Sequence, residues 1–243
     1  HPVAHSFPTR RSSDLGEPVS QTLPPPMVKS DTAKDDRRFV IVGAGAAGLI
    51  AAETLRQEGF RGKVIVLTKE AQAGYDRTEL SKRYLAKPDL SAPMLRPKEF
   101  YEEWDIEIHT DHNVHLMDIS SSTITCEDGK PIRYDKALVA TGGIPRRLGV
   151  QGEDLENVFT LRSLADCEHI REAAEQAKCA AVVGASFIGM EVAASLKSRG
   201  LNVTVIEPES VPFQHAFGTQ IGKMYQTIHE EKGVQFHLGQ KVE

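Results

Sequence analysis

FVIVGAGAAGLIAAETLRQEG, residues 39–59, reads as a short apolar strand, a glycine turn and a helix that stops at Gly59. The turn, residues 43–48, has the spacing GxGxxG, and its glycines answer different physical demands. Gly43 permits the tight turn, and Gly45 lets the backbone approach a pyrophosphate. Gly48 lets the helix pack close to the strand, so that its N-terminal N–H groups face the phosphates. Ala46 and Ala47 are the small residues between them. A lone GxGxxG is a weak signal, but the apolar run KVIVL at residues 63–67 follows at the distance a βαβ unit requires. Beyond that run an acidic residue should accept ribose hydroxyls, and Glu70 is the residue expected to do so. Lys69 stands where a carboxylate is the usual choice.

The same pattern recurs downstream. AAVV at residues 180–183 leads into GASFIG at residues 184–189, which keeps only the first and third glycines, Gly184 and Gly189. Ala185, Ser186, Phe187 and Ile188 lie between them. A helical stretch ends at Gly200, and the strand NVTVIE carries Glu207 at its end. A carboxylate there accepts both adenosine-ribose hydroxyls and repels a 2′-phosphate, so the second site reads as NAD rather than NADP.

Between the two fingerprints, short β-rich runs at residues 106–109, 114–118, 122–126 and 132–133 predict a β-meander insertion, with EDGK at residues 127–130 as a turn. KALVATGG, residues 136–143, predicts a buried parallel strand ending in a turn of small residues, Ala140, Thr141 and Gly142, where backbone approaches a ligand or a neighbouring domain. Phe100, Tyr101 and Trp104, on a helix starting at residues 97–99, are expected to serve packing. His109, His112 and His115 are closely spaced, but a strand at residues 114–118 keeps them off one face, and no metal site is expected.

Composition narrows the class. The chain has 243 residues, with 29 Lys+Arg against 34 Asp+Glu and a net charge of −5. Such a balance offers no electrostatic footprint for nucleic acid or an anionic membrane. No apolar run is long enough to span a bilayer. The three cysteines, Cys126, Cys167 and Cys179, form neither a disulfide framework nor a CxxC pair, which fits a reduced, cytoplasmic setting. Residues 1–37 contain PPP at 24–26 and the polar tract SDTAKDDRR, and they read as a disordered leader. Within it HSFPTRRSSDL, residues 5–15, is what one reading frame of a common sequencing-adapter oligonucleotide encodes. That stretch is excluded from fold reasoning.

The paired fingerprints, with an ATG-type turn between them, resemble the two-dinucleotide-binding flavoproteins, in which the first site holds FAD and the second NAD(P)H. The resemblance covers residues 38–243. YDRTELSK at residues 75–82, RPKEFY at 96–101, LVATGG at 138–143, VFTLRS at 158–163 and GASFIGMEVA at 184–193 resemble the apoptosis-inducing-factor-like and Rieske-type ferredoxin reductase branch. The implied architecture is α/β: two Rossmann-like dinucleotide-binding domains with a small β-meander insertion. The first part of an FAD-binding domain would occupy residues 38–147, and an incomplete NAD-binding domain, truncated at the C-terminus, residues 148–243.

The resemblance also implies roles. Arg77 and Lys82 would contact FAD, His115 would belong to the same site, and Arg162 would lie near the diphosphate or the domain junction. Lys82 would pair with Glu191 beside the flavin, as a buried catalytic pair where hydride arrives. The implied activity is an NADH-dependent flavoprotein reductase that passes electrons through FAD to a ferredoxin or Rieske iron–sulfur protein. The alternative is an FAD-binding, NADH-sensing protein acting through redox-controlled association. Disulfide-reducing members carry a CxxxxC pair after the second strand, and residues 67–82 contain no cysteine. An NADH peroxidase or oxidase usually needs a reactive cysteine near the flavin, and none is placed there. The rest of the NAD domain and the C-terminal flavin strand are expected beyond Glu243, so that this fragment alone would be inactive.

Overall fold

The computed structural model describes residues 26–243. Strand β1 (Arg38–Val42), helix α1 (Ala46–Gln57) and strand β2 (Lys63–Leu67) form the first βαβ unit, with β1 and β2 parallel from Arg38 opposite Lys63 to Val42 opposite Leu67. The β-branched residues Val40, Val64 and Val66 are fully buried, as strands covered on both faces require. Helix α1 buries Leu49, Ala52, Glu53 and Arg56, the i, i+3, i+4, i+7 face of a helix lying on a sheet. Arg56 has no exposure at all. Its guanidinium donates to four carbonyls: Phe60 O at 2.8 Å, Gly62 O at 2.9 Å, Trp104 O at 2.8 Å and Asp105 O at 2.7 Å. A charge that could not otherwise be buried thereby ties α1 to the two loops that lead into β2 and β3.

Two short helices follow, α2 (Arg83–Ala86) and α3 (Lys98–Glu103), then strands β3 (Ile106–His109), β4 (Val114–Asp118), β5 (Thr123–Cys126), β6 (Pro131–Arg133) and β7 (Lys136–Val139). The first sheet has the order β3-β2-β1-β7 and is parallel throughout. The antiparallel meander is β4-β5-β6 alone. Strand β3 was expected in the meander and belongs instead to the parallel sheet, with Val64 opposite Ile106. The reason is the helix before it. Tyr101 on α3 packs into the same core as Val64, Val66 and Ile106, with Phe100 and Trp104 against it, so the chain returns to β2 by a crossover and arrives parallel. The packing role expected for these aromatic residues is what is found.

Two further expectations are corrected. Strand β7 does pair with β1, but it is not buried: Leu138 is 41% and Val139 61% exposed, because among the described residues β7 is the edge of its sheet. The leader was expected to be disordered through residue 37, yet residues 28–31 are held against the first unit. Val28 N–H donates to Arg56 O at 3.0 Å, Asp31 N–H to Arg61 O at 2.8 Å and Ser30 N–H to Asp105 Oδ2 at 3.0 Å. The adapter-like stretch at residues 5–15 lies outside the described residues.

The second unit comprises α4 (Leu164–Gln176), β8 (Cys179–Val183), α5 (Phe187–Ser198), β9 (Asn202–Glu207), α6 (Gln214–Glu231, broken at Gly218) and β10 (Gln235–Leu238). Its parallel sheet runs β10-β9-β8. The two units are not packed as separate halves. Tyr75, Leu80, Tyr84 and Leu85, from the segment after β2, are buried in one cluster with Leu164, Cys167, Met190 and Val205.

Candidate functional site

The first glycine turn sits at the C-terminal end of β1, where the parallel sheet opens towards ligands. Gly43 has φ +114°, and a Cβ there would stand 2.2 Å from Ala140 O, so no other residue fits. A Cβ on Gly48 would stand 1.9 Å from Gly43 O, which is why the helix can begin so close to the strand. Gly189 repeats this contact with Gly184 O at 1.9 Å, so the two turns are built alike although the second has lost its middle glycine. By contrast, a Cβ on Gly45 would meet nothing within 4 Å. That open side faces a cleft of about 1200 Å³, above the usual volume of a single small-molecule pocket and suited to a dinucleotide.

Residues 42–47, 67–72 and 75–78 line this cleft, together with Ala140, Thr141, Gly142 and Gly143 after β7 and residues 162–166 at the start of α4. Gly45, Ala46, Ala47, Lys69, Glu70, Arg77, Arg162 and the small-residue turn therefore border one cleft. His115 does not. It is exposed on β4, next to Val114, which lines the cleft on the other face of the strand; His112 and Asn113, in the loop before β4, line the cleft as well. His112 is fixed there by its N–H on Thr68 O at 2.8 Å.

Glu70 does not stand free. Its Oε1 accepts from Arg77 Nη2 at 2.5 Å, and its Oε2 accepts from the Tyr75 hydroxyl. A carboxylate has about four acceptor positions, so two remain for ribose hydroxyls and the residue fits the role expected of it. Arg77 also donates to Arg162 O at 3.0 Å, and Arg162 Nε donates to Gly143 O at 3.0 Å. Arg162 is thus a junction residue that also borders the cleft. Tyr75 went unnoticed in the sequence, where a tyrosine two residues before an arginine carries no signal of its own.

At the second turn, Ser186 is the N-cap of α5, and Phe187 and Ile188 are half exposed beside it. Glu207 lies against the turn: Ala185 N–H donates to its Oε2, and Glu209 N–H donates to its Oε1 at 3.3 Å. The carboxylate expected to read the ribose therefore also pins the backbone of the glycine turn.

Lys82 and Glu191 meet, with Nζ 3.0 Å from Oε2. The Ser81 hydroxyl donates to the same oxygen at 2.5 Å. The pair was expected to be buried, but the side chains are 42% and 31% exposed. Lys82 is absent from the lining of the cleft. The physical reason is its place at the rim of the seam between the two units, where α5 passes the segment after β2. That seam follows one face of α5 at four-residue intervals. After Glu191 comes Ser195, whose buried hydroxyl donates to Ser81 O at 2.7 Å and Lys82 O at 3.1 Å; then Arg199 donates to Leu85 O at 3.2 Å. Ser81 and Ser195 were not anticipated, because only the fold brings them together.

Among the described residues no His, Cys, Asp or Glu group could hold a metal ion, and no helix is long and apolar enough to cross a membrane. All three cysteines are free, with Cys126 and Cys167 buried.

Comparison with known proteins agrees with this geometry. The family model described as pyridine nucleotide-disulphide oxidoreductase matches residues 37–243. Apoptosis-inducing factor 3 from Mus musculus is 41% identical over 203 residues, covering 84% of this chain and 33% of its own. The 3-phenylpropionate/cinnamic acid dioxygenase ferredoxin–NAD(+) reductase component of Photorhabdus laumondii is 38% identical, covering 84% of this chain and 52% of its own. In the solved covalent putidaredoxin reductase–putidaredoxin complex, one chain superposes with a TM-score of 0.79 at 29% identity, covering 85% of this chain and 51% of that one. The chain thus spans between a third and about half the length of these relatives.

Proposed function

The chain belongs to the pyridine nucleotide-disulphide oxidoreductase family, and from that premise we propose that the protein is an NADH-dependent flavoprotein reductase that delivers electrons to a ferredoxin or Rieske-type iron–sulfur acceptor. Residues 38–147 would hold FAD and residues 148–243 NADH. A bound flavin takes an electron pair as hydride from NADH and gives electrons up singly. The chain's own residues bind and orient. The glycine turns with the N-termini of α1 and α5 would take the two diphosphates. Glu70 and Glu207 would take the adenosine riboses, and Glu207 would disfavour a 2′-phosphate.

The observation that carries this reading is the Lys82–Glu191 contact of 3.0 Å, which joins the segment behind the first glycine turn to the second nucleotide helix, α5. An ammonium held there would favour the negative charge that builds on a flavin as it is reduced, and Glu191 would hold it in place. The named reductase relatives and the putidaredoxin complex support an iron–sulfur acceptor. The absence of a cysteine pair from residues 67–82 argues against disulfide reduction. Three free thiols suit a reducing compartment, the cytoplasm.

The test is steady-state NADH turnover by the complete flavin-loaded protein with a ferredoxin as acceptor. Sustained reduction of the ferredoxin supports the proposal. Bleaching of the flavin by NADH without turnover would instead support an NADH-sensing protein that works through association.

A further inference from the structure

Tyr75 is 4% exposed and lies between the cleft and the second unit. Its hydroxyl has a complete set of partners. It accepts from Arg77 Nη1 at 2.6 Å and from Leu164 N–H at 3.1 Å, and it contacts Glu70 Oε2. A phenol has one proton and two lone pairs. Arginine and a backbone amide can only donate, so the single proton has one destination, the Glu70 carboxylate. Burial and that hydrogen bond push the Tyr75 hydroxyl up to about 12, so it stays protonated in the physiological range.

The same three contacts reach across the fold. Leu164 is the first residue of α4, and its amide is one of the donors a helix start leaves without an internal partner. The Ser163–Asp166 capping box serves its neighbours: Asp166 accepts from Ser163 N–H at 2.7 Å and Arg162 N–H at 3.0 Å, and Ser163 Oγ accepts from Asp166 N–H at 3.1 Å. Tyr75 serves Leu164. Arg77, stacked 4.8 Å above the Tyr75 ring, holds the other oxygen of Glu70 and the carbonyl of Arg162.

We infer that Tyr75 is a positioning residue that orients the Glu70 carboxylate towards the adenosine-ribose hydroxyls of a dinucleotide in the first cleft, and that it ties this orientation to the start of α4. The inference rests on reading that cleft as the FAD site. With one oxygen held by Arg77 and the other by Tyr75, the carboxylate cannot turn about its last bond, and its free lone pairs keep one direction. Pre-orientation of this kind is what gives affinity to a contact that would otherwise cost ordering entropy on binding.

The experiment is the dissociation constant of the complete protein, stripped of flavin, for FAD and for an FAD analogue whose adenosine ribose lacks its 2′-hydroxyl. The wild type should bind FAD more tightly by about tenfold, the worth of one hydrogen bond to a charged group. Tyr75→Phe keeps the ring and its stacking on Arg77 and should reduce that preference to about twofold or less. A preference retained in Tyr75→Phe, with both ligands weakened equally, overturns the inference and leaves Tyr75 as a strut between the units. Glu70→Gln separates the two levels of the reading. If it also keeps the full preference, the ribose assignment of Glu70 fails, and the inference with it. If Tyr75→Phe does not fold, hydrogen exchange of the Leu164 amide in the wild type decides. FAD should slow it at least tenfold more than the deoxy analogue does, and equal protection by the two ligands overturns the link to α4.

Discussion

Lys82 Nζ stands 3.0 Å from Glu191 Oε2, and Ser81 Oγ donates to that same oxygen at 2.5 Å. One carboxylate oxygen thus accepts from consecutive residues of the segment behind the first glycine turn. Glu191 lies one turn in from the start of α5, on the face that meets the segment after β2. Lys82 Nζ also donates to Thr78 O at 2.7 Å, so the ammonium is held from its own segment as well.

Lys82→Met in the complete protein separates catalysis from simple linkage. The side chains are partly exposed, so losing the ion pair should cost only about 0–1 kcal/mol of stability. If the ammonium favours flavin reduction, stopped-flow reduction at saturating NADH should slow by about tenfold or more, with a lower flavin potential. An unchanged rate with a lower melting temperature would leave the pair as a link between units.

Ser195→Ala should destabilise the seam. Its hydroxyl is the donor to Ser81 O and Lys82 O, and the residue is 6% exposed. Leaving those carbonyls without their donor should cost about 1–3 kcal/mol, read as a lower midpoint in urea unfolding. A midpoint equal to the wild type would mean that water replaces the hydroxyl there.

Arg56→Met should be the more damaging change. The side chain is of similar length, yet it abandons four carbonyl acceptors, of which Phe60 O and Gly62 O are bonded in a buried setting. A loss of about 2–5 kcal/mol is expected, and Arg56→Lys should recover only part of it, because an ammonium cannot span the acceptors of a planar fork. Denaturant unfolding of both variants checks the ranking, which fails if Lys restores wild-type stability.

Glu207→Ala should narrow the preference for NADH over NADPH by about 1–3 kcal/mol if the carboxylate takes the adenosine ribose as proposed. Because Ala185 N–H also donates to Glu207, affinity for NADH itself should fall as well. Dissociation constants for both nucleotides test this, and a wild type that prefers NADPH would refute the assignment.

The thiols should differ sharply in reactivity. Burial pushes Cys167 up from 9.0 to about 11, whereas Cys179 is exposed. A raised pKa in the folded state means stability that is complete below pH 9.0 and declines as pH rises towards about 11. At pH 8, iodoacetamide should label Cys179 alone in the native protein, as read by mass spectrometry, and fast labelling of Cys167 would contradict its burial.

What the sequence determined by itself is local. Residues 39–59 and 180–200 encode strand, tight turn and helix through periodicity and glycine spacing, because the contacts that seat the helix start on the turn lie within a few residues of each other. Gly48 over Gly43 and Gly189 over Gly184 are such contacts. The carboxylates at the strand ends follow from the same short spacing. Tertiary structure decided what depends on long-range packing. Strand β3 joined the parallel sheet because α3 buries its aromatic face in the first core, and the loop before β4, held by His112 N–H on Thr68 O, brought His112 rather than His115 to the cleft. Tyr75 acquired its role only when the second unit brought the Leu164 amide to its hydroxyl. Family resemblance proposed that Lys82 and Glu191 would pair, but their exposure and their tie to Ser81 and Ser195 follow from the way α5 crosses the preceding segment. A hydrogen bond between distant residues leaves no periodic trace in the chain, so that part of the site could be read only from the folded molecule.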